Sequence, residues 1–109
     1  MAFLHPTTGG VIYPREVGIT LQKVQNGGVF HYHRDGRVFH NKEQLLPAKP
    51  YGFYREYTVD TPGALDRGER RIVCGGPRWK PTVFYYTDDH YHSFQQIICW
   101  ILDQSADTA

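Results

Sequence analysis

The sequence predicts one α+β domain, an N-terminal helix packed on one face of a twisted antiparallel β-sheet. Three observations carry this expectation. One apolar stripe at helical spacing opens the chain, four runs of strand character separated by short turns follow it, and 109 residues suit one hydrophobic core. With 40% apolar and 15% aromatic residues the chain has enough buriable surface to offset the entropy of ordering, which excludes disorder.

Residues 1–13, with Pro6, Thr7, Thr8, Gly9 and Gly10, read as a tail and leave residues 14–109 as the domain. Pro14 suits the first turn of a helix, because its φ is already helical and its missing N–H is one the first turn does not use. Val17, Leu21 and Val24 lie on one stripe and Asn26-Gly27-Gly28 stops the run, so a helix is expected from about 14 to 25. Gly18 costs that helix about 1 kcal/mol against alanine, which makes it dependent on packing. Residues 29–46 are aromatic, basic and turn-rich, with a tight turn at Asp35-Gly36, and are expected to form a structured loop region. Strands are expected at 51–59, 69–74, 82–87 and about 94–102, the last an apolar run of uncertain period. Their short connections favour antiparallel pairing.

Twelve Lys+Arg against eleven Asp+Glu give a formal charge of +1, so the long-range field is not that of a DNA-wrapping protein. Within residues 67–80, however, Arg67, Arg70, Arg71, Arg78 and Lys80 stand against Glu69 alone, which leaves room for a local phosphate site. No stretch of about 18 apolar residues exists, and residues 1–10 lack the regions of a secretory signal. A soluble chain with no membrane partner is expected, either mature, excised from a longer protein or made in the cytoplasm. Cys74 and Cys99 allow one disulfide or none, and two free, buried thiols are the simpler expectation.

Strand alternation places Phe53, Arg55, Tyr57 and Val59 on one face of the first strand and Tyr54, Glu56 and Thr58 on the other. On the second strand Ile72 and Cys74 share a face, and Glu69, Arg71 and Val73 share the opposite one. Pairing across residues 61–68 then brings Glu56, Arg67 and Arg71 together on the open face. His90 follows the third strand in Asp89-His90-Tyr91, where a loop on a rigid sheet presents a working group. Taken singly, these are a surface ion pair contributing about 0–1 kcal/mol and an idle imidazole. Together they are what RNA cleavage requires. Glu56 can take the proton of the ribose 2′-OH, His90 can protonate the leaving 5′-oxygen, and the planar forks of Arg67 and Arg71 match the phosphoryl oxygens.

Four ordered blocks make the signal specific: Tyr51-Gly52-Phe53-Tyr54-Arg55-Glu56-Tyr57-Thr58-Val59, Thr61-Pro62-Gly63-Ala64, Arg67-Gly68-Glu69-Arg70-Arg71-Ile72 and Thr87-Asp88-Asp89-His90-Tyr91. With Asp35-Gly36-Arg37-Val38-Phe39-His40-Asn41-Lys42-Glu43 and Leu46-Pro47 upstream, they closely resemble the guanyl-specific microbial ribonucleases of the ribonuclease Sa-like, barnase-type group over residues 14–98. The resemblance implies the microbial ribonuclease fold, with Glu56 as general base, His90 as general acid, Arg67 and Arg71 as phosphate ligands, and a Tyr91 hydroxyl that reaches the phosphate. The reaction implied is transesterification of single-stranded RNA to a 2′,3′-cyclic phosphate and then hydrolysis to a 3′-phosphate, with no metal and no cofactor.

By the same resemblance Phe39, His40, Asn41, Lys42 and Glu43 form a guanine-binding loop. Glu43 would accept from guanine N1–H and N2–H, the amides of Asn41 and Lys42 would donate to O6, Asn41 would hold or contact N7, and Phe39 would close one face. A carboxylate accepting two donors selects guanine, because adenine has no N1–H. His40 stands where the family pattern has glutamine and Lys42 where it has arginine, which puts side-chain stacking on the base in question. Arg37, in place of a small apolar residue, and Tyr32 are further candidates for substrate contact. The segment between Cys74 and Thr82 is longer than in the pattern and carries Trp79. The family's disulfide between the chain ends has no counterpart, since Cys74 and Cys99 fall elsewhere. That points to a toxin domain of a longer secreted protein, acting in a reducing cytosol, beside the alternative of an extracellular enzyme. A monomer and a small acidic inhibitor or immunity protein are the implied assembly and partner.

Two other readings are open. His31, His33, His90 and His92 form two pairs that would suit zinc or copper, making a metal-dependent nuclease that a chelator would silence. A non-catalytic module binding RNA or an inhibitor is the second, and it predicts no product at all.

Overall fold

The computed structural model of the chain describes residues 13–98. Helix α1, Arg15–Asn26, starts behind Pro14 and ends at Gly27, whose φ of 69° lets its N–H close back on the Lys23 carbonyl. Val17, Thr20 and Leu21 form its buried stripe, with Val24 at the margin. The Thr20 hydroxyl donates to the Thr58 carbonyl at 3.0 Å, which pins the helix to the sheet at the level of the site.

Four antiparallel strands, β1 Tyr54–Thr58, β2 Arg71–Gly75, β3 Val83–Thr87 and β4 Gln95–Gln96, stand in sequence order across the sheet. The register sets Glu56 opposite Val73, Val73 opposite Tyr85, and Tyr85 opposite Gln96. Ile72, Cys74, Phe84 and Tyr86 therefore share the helix side, where they pack with Val17, Leu21, Val59 and Ile97. On the other side Tyr54 and Val73 pack with Leu46 under a rim of aromatic rings from Phe39, Phe53, Tyr85, Tyr91 and Phe94. Burial on both faces is why β2 is buried at every position and reads as an unbroken apolar run between Arg71 and Gly75. Full burial of Ile72 or Val73 contributes about 1.5–3 kcal/mol. The α+β class expected from the sequence is the class observed.

Several boundaries differ from expectation. β1 begins at Tyr54, three residues late, because Gly52 turns with φ 88° and the Phe53 N–H bonds to the Pro50 carbonyl at 3.1 Å. Phe53 is thus released from strand alternation and joins the Tyr54 side, its ring lying where a side chain at Gly75 would stand. Residues 36–39, expected as loop, run along the free edge of β1. Gly36 N–H donates to Glu56 O at 2.8 Å, Glu56 N–H to Arg37 O at 2.9 Å and Phe39 N–H to Tyr54 O at 2.9 Å. β4 is only two residues long; Ile97 is buried beyond it and Ile98 is 57% exposed, while the rest of the expected strand lies outside the described residues. Tyr13, expected in the tail, is a core residue packed edge-on against Tyr86 at 5.7 Å, since its ring fills the sheet face beside Val17.

Cys74 is a buried free thiol, and burial pushes its pKa well up, so it is held as the unreactive thiol; Cys99 lies outside the described residues. Among the described residues no helix is long and apolar enough to cross a membrane.

Candidate active site

Glu56 leaves β1 on the face opposite the helix, and its Oε1 is a point of convergence. Arg67 Nη2 donates to it at 2.8 Å and the Tyr91 hydroxyl donates at 2.8 Å, while Arg71 Nε stands 3.8 Å away. These donors come from the β1–β2 connection, the turn after β3 and the first residue of β2. The register explains the meeting, since Arg71 pairs with Thr58 and shares a face with Glu56. Arg71 is only 3% exposed. Its Nη1 donates to the carbonyls of Gly68 at 2.9 Å and Arg70 at 2.8 Å, but its Nε has no hydrogen-bond partner among the described residues. A buried guanidinium held by its tip thus keeps a strong donor, its Nε–H, without an acceptor among the described residues, beside the Glu56 carboxylate.

Arg67 is oriented by a second set of contacts. Its Nε donates to Thr58 Oγ1 at 2.7 Å, Nη2 lies 3.5 Å from Asp35 Oδ1, and the guanidinium sits 5.9 Å from the centre of the Tyr32 ring. Asp35 Oδ1 also accepts from the Thr58 amide at 2.8 Å and the Thr58 hydroxyl at 2.7 Å. Neither Asp35 nor Thr58 was expected at the site. Asp35 was expected only as a turn residue, and the signal in hindsight is Thr58, two residues beyond Glu56 on the same face.

His90 and Tyr91 are presented by the turn after β3, where both adopt left-handed φ values of 54° and 76°. Such backbone is costly for bulky side chains and needs an external brace. Asp89 supplies it: its carboxylate accepts from the Ser93 hydroxyl at 2.6 Å, the Thr87 hydroxyl at 2.7 Å, the Ser93 amide at 2.9 Å and the His92 amide at 3.1 Å. Those bonds, from Ser93 first and then Thr87, hold its pKa down at about 2. The Tyr91 pKa is raised, by burial first and then by the Glu56 charge, so its hydroxyl remains a donor. The His90 amide is tied to the Glu69 carbonyl at 3.1 Å.

A cleft of about 560 Å³ joins Glu56, His90 and Tyr91 to the candidate base loop, while Arg67 and Arg71 are not among its lining residues and adjoin it through Glu56. Glu56, His90 and Tyr91 line one end, and Phe39, His40, Asn41, Lys42 and Glu43 line the other. The Phe39 ring packs on Tyr91 at 4.9 Å and on Phe94 at 5.9 Å, which joins the two halves. The Asn41 carboxamide is committed to the loop itself, donating to Leu46 O at 2.9 Å and accepting from Leu46 N–H at 3.2 Å. Asn41 adopts a left-handed φ of 56°, and the amides of Asn41, Lys42 and Glu43 donate to no partner among the described residues. Val38, Leu45 and His92 also line the cleft and were not expected there; His92, two residues past His90, follows from that spacing. Arg37 and Tyr32 are not among its lining residues: Arg37 contributes its backbone to β1, and Tyr32 backs Arg67. Among the described residues no three His, Cys, Asp or Glu side chains gather as a metal site, so the two histidine pairs do not converge.

Fold and site together set the 39–43 loop in one cleft with a carboxylate and an imidazole, the carboxylate being held from behind by two guanidiniums. A sequence model of the family described as ribonuclease matches residues 11–98. Guanyl-specific ribonuclease Sa3 of Kitasatospora aureofaciens is 49% identical over 84 residues, which cover 77% of this chain and 57% of that protein. Guanyl-specific ribonuclease Sa of the same organism is 48% identical over 84 residues, covering 77% of this chain and 84% of that one. The chain thus spans little more than half the length of Sa3 but most of Sa. The crystal structure of ribonuclease Sa2 with guanosine-2′-cyclophosphate matches with a TM-score of 0.71 at 44% identity, over 79% of this chain and 87% of that one. The chain belongs to the ribonuclease family, in its guanyl-specific, ribonuclease Sa-like group.

Proposed function

We propose that the chain is a guanine-preferring endoribonuclease that cleaves single-stranded RNA without a metal, and that Glu56 and His90 are its acid–base pair. The observation that carries this reading is the Glu56 carboxylate, gripped by Arg67 and Tyr91 at 2.8 Å and flanked by Arg71 at 3.8 Å, in one cleft with His90 and the 39–43 loop. In the first step Glu56 takes the 2′-OH proton, the 2′-oxygen bonds to phosphorus, the P–O5′ bond breaks, and His90 gives its proton to the departing oxygen. In the second step neutral His90 takes a proton from water, hydroxide attacks phosphorus, and protonated Glu56 returns its proton to the 2′-oxygen. Charge building on the phosphoryl oxygens is met by Arg67, by the unused Arg71 Nε–H and by the Tyr91 hydroxyl, all fixed before substrate arrives. Two guanidiniums fill the role a divalent ion has elsewhere.

Guanine is selected by the loop. Its O6 accepts from the unused amides near Asn41 and Lys42, its N1–H and N2–H donate to Glu43, and its face rests on Phe39. The Asn41 side chain acts by holding the loop through Leu46. The similarity to ribonuclease Sa2, crystallised with guanosine-2′-cyclophosphate, supports both the base and the product class. A ribonuclease of this kind destroys RNA of the cell that makes it, so the proposal includes a small acidic inhibitor protein, a monomeric enzyme, and export or delivery to a target cytosol. Digestion of an end-labelled oligonucleotide containing all four bases, in EDTA, tests the activity. Cuts after guanosine with cyclic and then 3′-phosphate ends are expected; loss of cleavage in EDTA, or 5′-phosphate products, would overturn it.

A further inference from the structure

A second hollow, of about 180 Å³, shares Phe39, His40 and Asn41 with the main cleft but none of Glu56, His90 or Tyr91. The 39–41 segment is a wall common to both. Its other lining includes Lys49, Tyr51 and Tyr54. Tyr51 is 81% exposed, and its ring lies 5.6 Å from that of His40 at an interplanar angle of 46°. The Lys49 ammonium, 5.2 Å from the Phe53 ring, adds a cation to the lining of the same hollow. A tyrosine this exposed contributes little to folding. Two open rings and an ammonium group beside a base-binding loop are what a nucleobase and its phosphate bind in single-strand recognition.

Continuity with the main cleft decides which nucleotide reaches this hollow. The scissile phosphate belongs with Glu56, Arg67, Arg71 and His90, and the leaving nucleoside departs from the His90 side. The hollow shares none of those groups and adjoins only the base loop, so the strand that reaches it is attached through the guanosine 5′-oxygen. We infer that Tyr51, His40 and Lys49 form a subsite for the nucleotide 5′ to the recognised guanosine, its base stacked on the Tyr51 and His40 rings and the joining phosphate beside Lys49. The inference rests on the ribonuclease reading of the main cleft. Stacking on a π face discriminates weakly among bases, so the subsite adds affinity without a second sequence requirement.

The test compares GpU, UpGpU and GpUpU as substrates of the wild-type chain and of Tyr51→Ala. The 5′ extension in UpGpU is expected to lower KM about fivefold or more relative to GpU, as one base stack does. Tyr51→Ala is expected to abolish that gain, leave GpU kinetics unchanged and leave any effect of the 3′ extension in GpUpU unaltered; Tyr51→Phe is expected to retain the gain. Equal KM for GpU and UpGpU on the wild type, or a gain that survives Tyr51→Ala, would overturn the subsite while the main-cleft reading stands. Failure to cleave GpU to a guanosine cyclic phosphate would overturn both.

Discussion

Asp35→Ala is the perturbation with the largest expected effect outside the reacting groups. One buried carboxylate oxygen, on a side chain 3% exposed, accepts from the Thr58 amide at 2.8 Å and the Thr58 hydroxyl at 2.7 Å, and stands 3.5 Å from Arg67. Hydrogen bonds to a charged group contribute about 1.5–3 kcal/mol each, and an orphaned buried amide costs about 1–3 kcal/mol. The terms do not simply add, because Arg67 keeps Glu56 at 2.8 Å and the Thr58 hydroxyl at 2.7 Å. A net loss of about 3–5 kcal/mol follows, the range for breaking a buried charged pair. Asp35→Asn, which keeps an acceptor for Thr58, should cost clearly less. Urea unfolding reads both values from the midpoint at unchanged m. A loss below about 1 kcal/mol for Asp35→Ala, the scale of ordinary surface changes, would refute the argument that this carboxylate anchors the site.

Two further outcomes are expected. Glu56→Ala and His90→Ala should each lower turnover by about 100-fold or more with the fold intact, by circular dichroism and steady-state rates on a guanosine dinucleotide; near-normal turnover in either would remove that residue from its role. Asp89, whose folded pKa is held at about 2 against an ordinary 3.8, contributes stability that is present above the ordinary value and is lost as pH falls through the folded one. Wild type should therefore exceed Asp89→Asn in stability at pH 5, with the difference shrinking between pH values of about 4 and 2; a difference independent of pH across that window would contradict the brace assigned to the 87–93 turn.

Much of this architecture was legible in the chain because two periodicities and a few stop signals carry it. Val17, Leu21 and Val24 gave the helix face, Gly27 its end, and the alternation of Tyr54, Glu56 and Thr58 the face of the site. The convergence of Glu56 with Arg67 and Arg71 followed from the same alternation across one connection. What escaped was set by contacts distant in sequence. Phe53 looked like a strand residue, but the Gly52 turn and the space over Gly75 assign it to the other face. Asp35-Gly36 carries an ordinary turn signature, and nothing local reveals that Asp35 is the acceptor for Thr58, 23 residues away. Residues 36–39 include the strand formers Val38 and Phe39, but the run is too short beside the Asp35-Gly36 turn to read as a strand, and it pairs with β1 through only a few backbone bonds. The run at 97–101 is apolar without a period, so the two-residue extent of β4 was not readable.

On the reading proposed above, the Glu56 carboxylate and the His90 imidazole work as base and acid across one scissile phosphate. The pH dependence of kcat/KM on a guanosine dinucleotide, in wild type and in Glu56→Gln, tests it most directly. A bell-shaped wild-type profile is expected, with the acid limb abolished in the variant and the alkaline limb retained at a much lower rate. An acid limb that persists unchanged in Glu56→Gln would contradict the account.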